Sequence, residues 1–174
     1  MIKILDEMAF VGNYRSEKYF GRSYDVLDCA CLPYGADEMV ERFQIHFGSD
    51  EYDGWLVKMA VGSFDDEDCF LLFTRYTSPD ESSDVIVQCS SLNPLQKQAD
   101  IVEYVLFELK LKPKDLRWIR SDLKLHQWLL CRMDDNNNEF VIDAFDAQVE
   151  AEARKEMYER RGHKQMYWVR KAKK

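Results

Sequence analysis

The sequence predicts an α+β protein with mixed or antiparallel sheet, three helices and a C-terminal ββαβ unit that spans residues 125–170. Three segments place apolar residues at the spacing of amphipathic helices, and the runs between them are rich in β-branched and aromatic residues that favour strands. Several of these runs are joined by short acidic turns, and connections of this length favour antiparallel neighbours. The 174 residues and 46% hydrophobic content indicate a single compact domain, 1–174, with an acidic part at 1–92 and a second part at 93–174.

The first part combines several strands with one helix. Ala36, Met39, Val40, Phe43 and Phe47 recur at helical spacing, Asp37 and Glu38 suit the positive end of a helix dipole, and Gly48 follows as a stop. These features predict a helix over residues 36–47. The predicted strands of this part are residues 2–5, 24–31, 55–61, 69–77 and 84–89.

The second part begins with a helix. Asn93 and Pro94 are typical of the N-cap and first helical position, and an apolar stripe carries the predicted helix to about residue 109. Residues 125–132 and 140–145 then form a predicted hairpin around the turn-favouring stretch 134–138. Asp146 is the expected cap of a third helix that ends at Gly162, and residues 166–170 form the last strand.

This order, ββαβ, predicts a crossover helix that places the strands on either side of it parallel in one sheet. The unit resembles the half-motif of ferredoxin-like and RNA-recognition folds. The resemblance concerns topology alone and implies no function.

Charge is distributed unevenly along the chain. Residues 1–100 carry 19 acidic and 8 basic side chains, a net charge of −11, whereas residues 101–174 carry 13 acidic and 16 basic side chains, a net charge of +3. The acids of the first part gather in short runs between apolar segments, which are interpreted as loops. The total of −8 therefore hides an acidic region and a basic C-terminal region.

The commonest catalytic and cofactor signatures are absent from the sequence. The seven glycines never fall two apart, which excludes a dinucleotide fingerprint, and no two of His46, His126 and His163 are four apart, which excludes a helical zinc dyad. Cys29 and Cys31 are expected on one side of a strand, as buried structural thiols rather than metal ligands. The sequence therefore predicts no cofactor, no metal site and no catalytic residue.

The leading hypothesis is a non-catalytic protein-binding module of the inhibitor, immunity or adaptor type. Acidic loops steer association with a basic protein surface. The residues expected to do so are Asp50, Glu51, Asp53, Asp65, Asp66, Glu67, Asp68, Asp80 and Glu81.

Two alternatives belong to other classes. The first is a nucleic-acid-binding protein that uses basic residues to neutralise phosphates and aromatic rings to stack bases. Its residues are Arg117, Trp118, Arg120, Lys124, Lys164, Tyr167, Trp168 and Arg170. The second is an enzyme with a dispersed site around His126 or His163, in which a cysteine or serine nucleophile comes from a distant segment.

Location and assembly follow from composition. No apolar run approaches the length of a membrane span, and the first ten residues contain Asp6 and Glu7 rather than an apolar signal core. With five cysteines, an odd number, the expected location is the cytoplasm and no membrane partner is expected. The high aromatic content is compatible with an apolar surface through which copies of the chain associate as a homo-oligomer.

Overall fold

A computed structural model describes residues 2–6, 26–65, 68–75, 77–78, 82–162 and 165–172, and it confirms the α+β class. The strands are β1 (Lys3–Asp6), β2 (Val26–Gly35), β3 (Gly48–Tyr52), β4 (Trp55–Ser63), β5 (Cys69–Thr74), β6 (Asp84–Ser90), β7 (Trp118–Ile119), β8 (Trp128–Met133), β9 (Glu139–Phe145) and β10 (Met166–Lys171). The helices of the described residues are α1 (Ala36–Phe43), α2 (Leu95–Glu108) and α3 (Gln148–Arg160), with a 3₁₀ turn at Pro113–Asp115.

Seven strands form a large sheet in which every pairing is antiparallel. The order is β1-β4-β5-β6-β2-β7, and β3 pairs with the part of β4 that β1 leaves open. The short strand β7 belongs to this sheet through Cys31 and Trp118, although it lies far along the chain in the second part. The large sheet therefore draws on both parts of the sequence.

Helices α1 and α2 contribute to the main core against one face of this sheet. The predicted apolar stripe of α2 is buried there, with Ala99, Val102 and Val105 among the fully covered residues. Facing them are Phe70 and Leu72 of β5 and the inward side chains of β2 and β6. A second, smaller cluster on the other face contains Met59, Val61 and Leu71.

The remaining strands form a small sheet in the order β10-β8-β9. Because β9 and β10 each pair antiparallel with β8, they run parallel to one another, as the crossover interpretation of helix α3 predicts. Helix α3 covers one face of this sheet. On that face Tyr158 of α3 stacks on Tyr167 of β10 with ring centroids 5.4 Å apart.

The structure corrects several local predictions, and one is the start of α2, where Pro94 rather than Asn93 is the N-cap. The helix expected over 36–47 ends at Phe43, because Gln44 adopts a left-handed conformation with φ of 56°. Residues 48–52 then form strand β3, which joins β4 through a tight turn at Asp53 and Gly54. Asp50 and Glu51 consequently lie on a strand rather than in a loop, and Ala147 rather than Asp146 is the N-cap of α3.

In the described part of the chain, no helix is both long enough and apolar enough to cross a membrane.

Candidate functional site

The β3–β4 hairpin presents three carboxylates and a tryptophan at the edge of the large sheet. We call residues 48–59 the acidic hairpin. Its turn residues Asp53 and Gly54 have φ of 50° and 78°, the positive values that a tight two-residue hairpin turn requires. In the antiparallel register Asp50 lies opposite Val57, so the Asp50 side chain is on the same face as Trp55, two residues along β4. Trp55 is 51% exposed.

These three carboxylates have no cationic neighbour among the described residues. No lysine or arginine of the described ranges lies within ion-pair distance of Asp50, Glu51 or Asp53. The Asp50 carboxylate accepts a hydrogen bond from the Glu51 backbone N–H, which is a local contact within the strand. In the part of the chain that the structure describes, no basic side chain therefore offsets these three carboxylates.

The other described acids that the sequence singled out are neutralised. Lys97 of α2 donates to Asp68 at 2.6 Å and to Asp65 at 3.3 Å, and its ammonium lies 5.4 Å from the centre of the Phe64 ring. The hydrogen bond to Asp68 raises the pKa of Lys97 above its usual value. This loop is thus held against α2. Asp66, Glu67, Asp80 and Glu81 lie outside the described residues.

The basic and aromatic set predicted for nucleic acid is divided between the two sheets. Trp118 is on β7 of the large sheet, whereas Tyr167, Trp168 and Arg170 are on β10 of the small sheet. Tyr167 is buried under α3, and Trp168 lies on the opposite face of the same strand. Lys124 is exposed, and Lys164 lies outside the described residues.

Each arginine of this set has a carboxylate partner. Arg117 pairs with Asp84 at 3.1 Å, Arg120 with Asp122 at 2.5 Å and Arg170 with Glu139 at 3.0 Å. A phosphate would have to displace these carboxylates before it could bind the guanidinium groups. The set therefore offers less free positive charge than its sequence suggests.

A partly buried group of charges, which we call the ionic cluster, joins α2 to the strands of the small sheet and to the segment before them. It consists of Asp100, Glu103, His126 and Lys171. Glu103, only 7% exposed, accepts hydrogen bonds from the His126 backbone N–H and lies 3.0 Å from His126 Nδ1. Lys171 Nζ lies 2.5 Å from Asp100 Oδ1 and 3.0 Å from Glu103 Oε2.

The ionic cluster has the composition of a metal site, but a lysine occupies it. Ligand atoms of Asp100, Glu103 and His126 lie within 4.8 Å of one another. Burial lowers the pKa of Lys171, yet the hydrogen bonds to Asp100 and Glu103 outweigh burial and raise the pKa overall. Lys171 is therefore an ammonium ion at neutral pH, and it supplies the positive charge that a metal would otherwise bring.

His126 also lines an open groove of about 660 Å³ between the 3₁₀ turn and the start of α3. The groove contains an ion pair between Lys112 and Glu150 at 2.6 Å. Of the described residues that line it, none is a serine, threonine or cysteine. The described lining of the groove therefore offers His126 no hydroxyl or thiol group.

The expected burial of the cysteine pair is confirmed, but their expected orientation is wrong. Cys29 and Cys31 are both buried, and neither forms a disulfide. A β-bulge between Asp28 and Ala30 shifts the register, so Cys29 contacts Gln98 of α2 while Cys31 lies opposite Ile86 of β6 on the other face.

Sequence reasoning identified neither Trp55 nor the ionic cluster as functional. The tight-turn dipeptide Asp53–Gly54 was the available signal for the hairpin. For the cluster the only local signal was the i, i+3 spacing of Asp100 and Glu103, which places both carboxylates on one face of α2. Comparison of the chain with protein-family models, with curated proteins and with solved structures found no match.

Proposed function

We propose that this chain is a non-catalytic protein-binding module that presents the acidic hairpin to a basic protein surface. The observation that carries the proposal is the combination, on one hairpin, of a half-exposed tryptophan and three carboxylates that have no cationic neighbour among the described residues. Carboxylates steer a basic partner and fix its register. Tryptophan is among the residues that most often supply the central binding energy of an interface.

Charge on an edge strand has another explanation, which leaves Trp55 unaccounted for. Native proteins place charged residues on edge strands to prevent unwanted strand pairing. That purpose accounts for Asp50 and Glu51 on β3 but does not account for a large apolar ring left half in water beside them. A binding role explains both features, because the ring is the part that a partner covers.

The partner is expected to be a protein rather than a nucleic acid. The arginines predicted for phosphate contact are engaged by carboxylates, whereas the three carboxylates of the acidic hairpin have no cationic neighbour among the described residues. A negative surface repels phosphates and attracts lysine- and arginine-rich proteins. The short turn also holds the hairpin in one conformation, which lowers the entropy cost of binding.

Affinity capture from the native cells, with and without nuclease treatment, tests the proposal. We expect to capture a stoichiometric basic protein that stays bound after nuclease treatment. Asp50→Lys/Glu51→Lys should not capture this protein. Trp55→Ala should bind it about 30-fold more weakly, the loss of affinity typical of a central interface residue. The matched control is Asp135→Lys/Glu159→Lys, which makes the same change in net charge at two exposed positions away from the hairpin.

Three results would contradict the proposal. One is the absence of a stoichiometric partner. Another is a partner that binds the hairpin variants and the control variant equally well. The third is loss of the captured material on nuclease treatment, which would favour the nucleic-acid alternative instead.

A further inference from the structure

The face of the small sheet that points away from α3 is apolar, although no described helix covers it. We call it the outer face. Antiparallel pairing places residues directly opposite one another on the same face, so the registers of β10 with β8 and of β8 with β9 define its members. They are Met166, Trp168 and Arg170 on β10, Met133, Cys131 and Leu129 on β8, and Glu139, Val141 and Ala144 on β9.

Seven of these nine side chains are apolar, which is unusual for a sheet face in water. An antiparallel sheet with one solvated face normally shows polar residues on that face. Here Met166 is 65% exposed and Val141 is 52% exposed. Among the described helices, α3 is the one that packs on the three strands, and it lies on the opposite face. The outer face thus has the composition of an interface rather than of a solvated surface.

The two charged residues of the outer face form one ion pair that crosses it diagonally. Arg170 donates to Glu139 Oε1 from Nε at 3.1 Å and from Nη2 at 3.0 Å. The nine residues form a grid of three residues on each of three strands. Arg170 and Glu139 lie at opposite corners of this grid, and the fully buried Cys131 lies at its centre. The face therefore has no net charge, and it offers no preference for a strongly basic or strongly acidic partner.

This distribution is complementary to itself. Consider two outer faces that meet across a two-fold axis lying between them, parallel to the diagonal from Met166 to Ala144. Rotation about this axis exchanges the two remaining corners, so Arg170 of each copy lies over Glu139 of the second copy. With the usual strand spacing and rise, such an axis makes the strands of the two copies cross at roughly 70°, close to the orthogonal class of sheet packing. The apolar residues of each copy then meet along the axis.

We propose that the outer face is the interface of a homodimer in which the small sheets of two copies pack face to face. The nine residues span about 10 Å by 14 Å between outer Cα atoms, an area of about 140 Å², which is well below the roughly 800 Å² per partner of a standard stable interface. The dimer is accordingly weak and forms only at high protein concentration. The acidic hairpin belongs to the large sheet, so this inference does not depend on the proposed binding of a basic partner.

Sedimentation velocity on the full chain, from about 5 µM to about 500 µM, tests this interface. We expect the wild type to shift from monomer towards dimer across the range, and Val141→Glu and Met166→Glu to remain monomeric throughout. Both positions are more than half exposed, so the variants keep their fold. Leu92→Glu, at a 74% exposed leucine after β6, is the matched control and should dimerise like the wild type.

A charge-exchange experiment tests the predicted orientation. Glu139→Arg places two arginines on the outer face and Arg170→Glu places two glutamates there, so each variant alone should associate at least tenfold more weakly than the wild type. An equimolar mixture of the two should form a heterodimer, because each arginine then meets a glutamate of the other variant.

Four results would overturn the inference. The first is a wild type that stays monomeric at the highest concentration. The second is a dimer that persists in Val141→Glu and Met166→Glu, and the third is one that Leu92→Glu abolishes equally. The fourth is a mixture of charge variants that associates no better than its components. Loss of the basic partner from the hairpin variants is a separate readout, so failure of either idea leaves the other testable.

Discussion

Gly62 shows how the absence of one side chain shapes the main core. A Cβ added at Gly62 of β4 would lie 2.3 Å from Cζ of Phe70 and within 2.8 Å of both Cε atoms of the ring. Phe70 is fully buried and also meets the ring of Tyr104 of α2 edge-on, with centroids 6.2 Å apart. The ring therefore fills the space above Gly62 and has little room to move away.

We predict that Gly62→Ala lowers the free energy of unfolding by about 1–3 kcal/mol, the usual cost of overpacking a core. Denaturant titration followed by circular dichroism measures the change. The control is Gly35→Ala, where the nearest atom to the added Cβ is the Ser83 carbonyl oxygen at 3.5 Å and φ is −77°. If both variants lose the same free energy of unfolding, the Phe70 ring moves aside without cost and the prediction is wrong.

The cysteines illustrate what a single sequence can and cannot predict at the scale of one residue. Burial of Cys29 and Cys31 was predictable, because free cysteine is among the most buried residue types. Their relative orientation was not, because the two-residue period of a strand fails wherever a bulge inserts an unpaired residue. Nothing in the local sequence around Asp28 marks that bulge.

At the scale of elements, the ionic cluster is the electrostatic connection between α2 and the strands of the small sheet. Glu103 is buried and contacts both His126 and Lys171, which come from the linker after β7 and from β10. Removing one member of such a group leaves the others buried without compensation, and that loss exceeds the net value of the intact pair. The cluster is thus a place where one substitution affects two elements at once.

We expect Glu103→Gln to lower the free energy of unfolding by about 2–4 kcal/mol, at the lower end of the range for buried pairs because Lys171 is partly solvated. A double-mutant cycle with Lys171→Met measures the coupling, which should be about 1–2 kcal/mol. Glu159→Gln, at an exposed position of α3, is the control and should be nearly neutral. A coupling near zero would show that the cluster does not join the two elements.

The pH dependence of this connection has a definite sign. The pKa of Lys171 is raised above its ordinary value of 10.5, so its stabilising contribution is complete below that pH and is lost as the pH rises through the higher folded value. The difference in unfolding free energy between wild type and Lys171→Met should therefore be constant at neutral pH and shrink above about pH 10.5. The exposed control Lys124→Met should be nearly neutral, and a wild-type difference from Lys171→Met that persists at alkaline pH would contradict the stabilising role of the Lys171 ammonium.

Helices and strands differed in how well the sequence predicted them. The stripe of α2 and the crossover around α3 were predictable, because apolar periodicity and chain order determine them. Strand β3 was missed because Asp50 and Glu51 resemble loop residues, and only pairing with β4 makes that segment a strand. Trp55 and the ionic cluster could not be found for the same reason, since their exposure and contacts depend on tertiary structure.

At the scale of the whole molecule, the charge separation along the sequence is partly cancelled by folding. Arg117 pairs with Asp84 and Lys171 pairs with Asp100, so bases of residues 101–174 neutralise acids of residues 1–100. Among the described carboxylates that the sequence predicted for binding, those of the acidic hairpin are the ones that no described basic side chain neutralises. The predicted division at residue 92 also does not separate the sheets, since β7 lies in the large one.

The two sheets should unfold together, because side chains from both contact α2. Trp128 of β8 is buried, and together with Leu106 of α2 it lines a small pocket of about 10 Å³. That volume is at the limit for a single water molecule. In addition, the ionic cluster holds Lys171 of β10 against the same helix.

Tryptophan fluorescence can test this cooperativity, because the four tryptophans divide evenly between the sheets. In Trp55→Phe/Trp118→Phe only Trp128 and Trp168 remain, and both report on the small sheet. We predict that its fluorescence and far-ultraviolet circular dichroism give coincident denaturant midpoints, as a two-state transition requires. Adding Glu103→Ala should separate the two curves, with fluorescence changing first, because the small sheet then loses its charged connection to α2. A fluorescence transition that precedes the loss of circular dichroism already in the parent variant would mean that the small sheet folds as an independent unit.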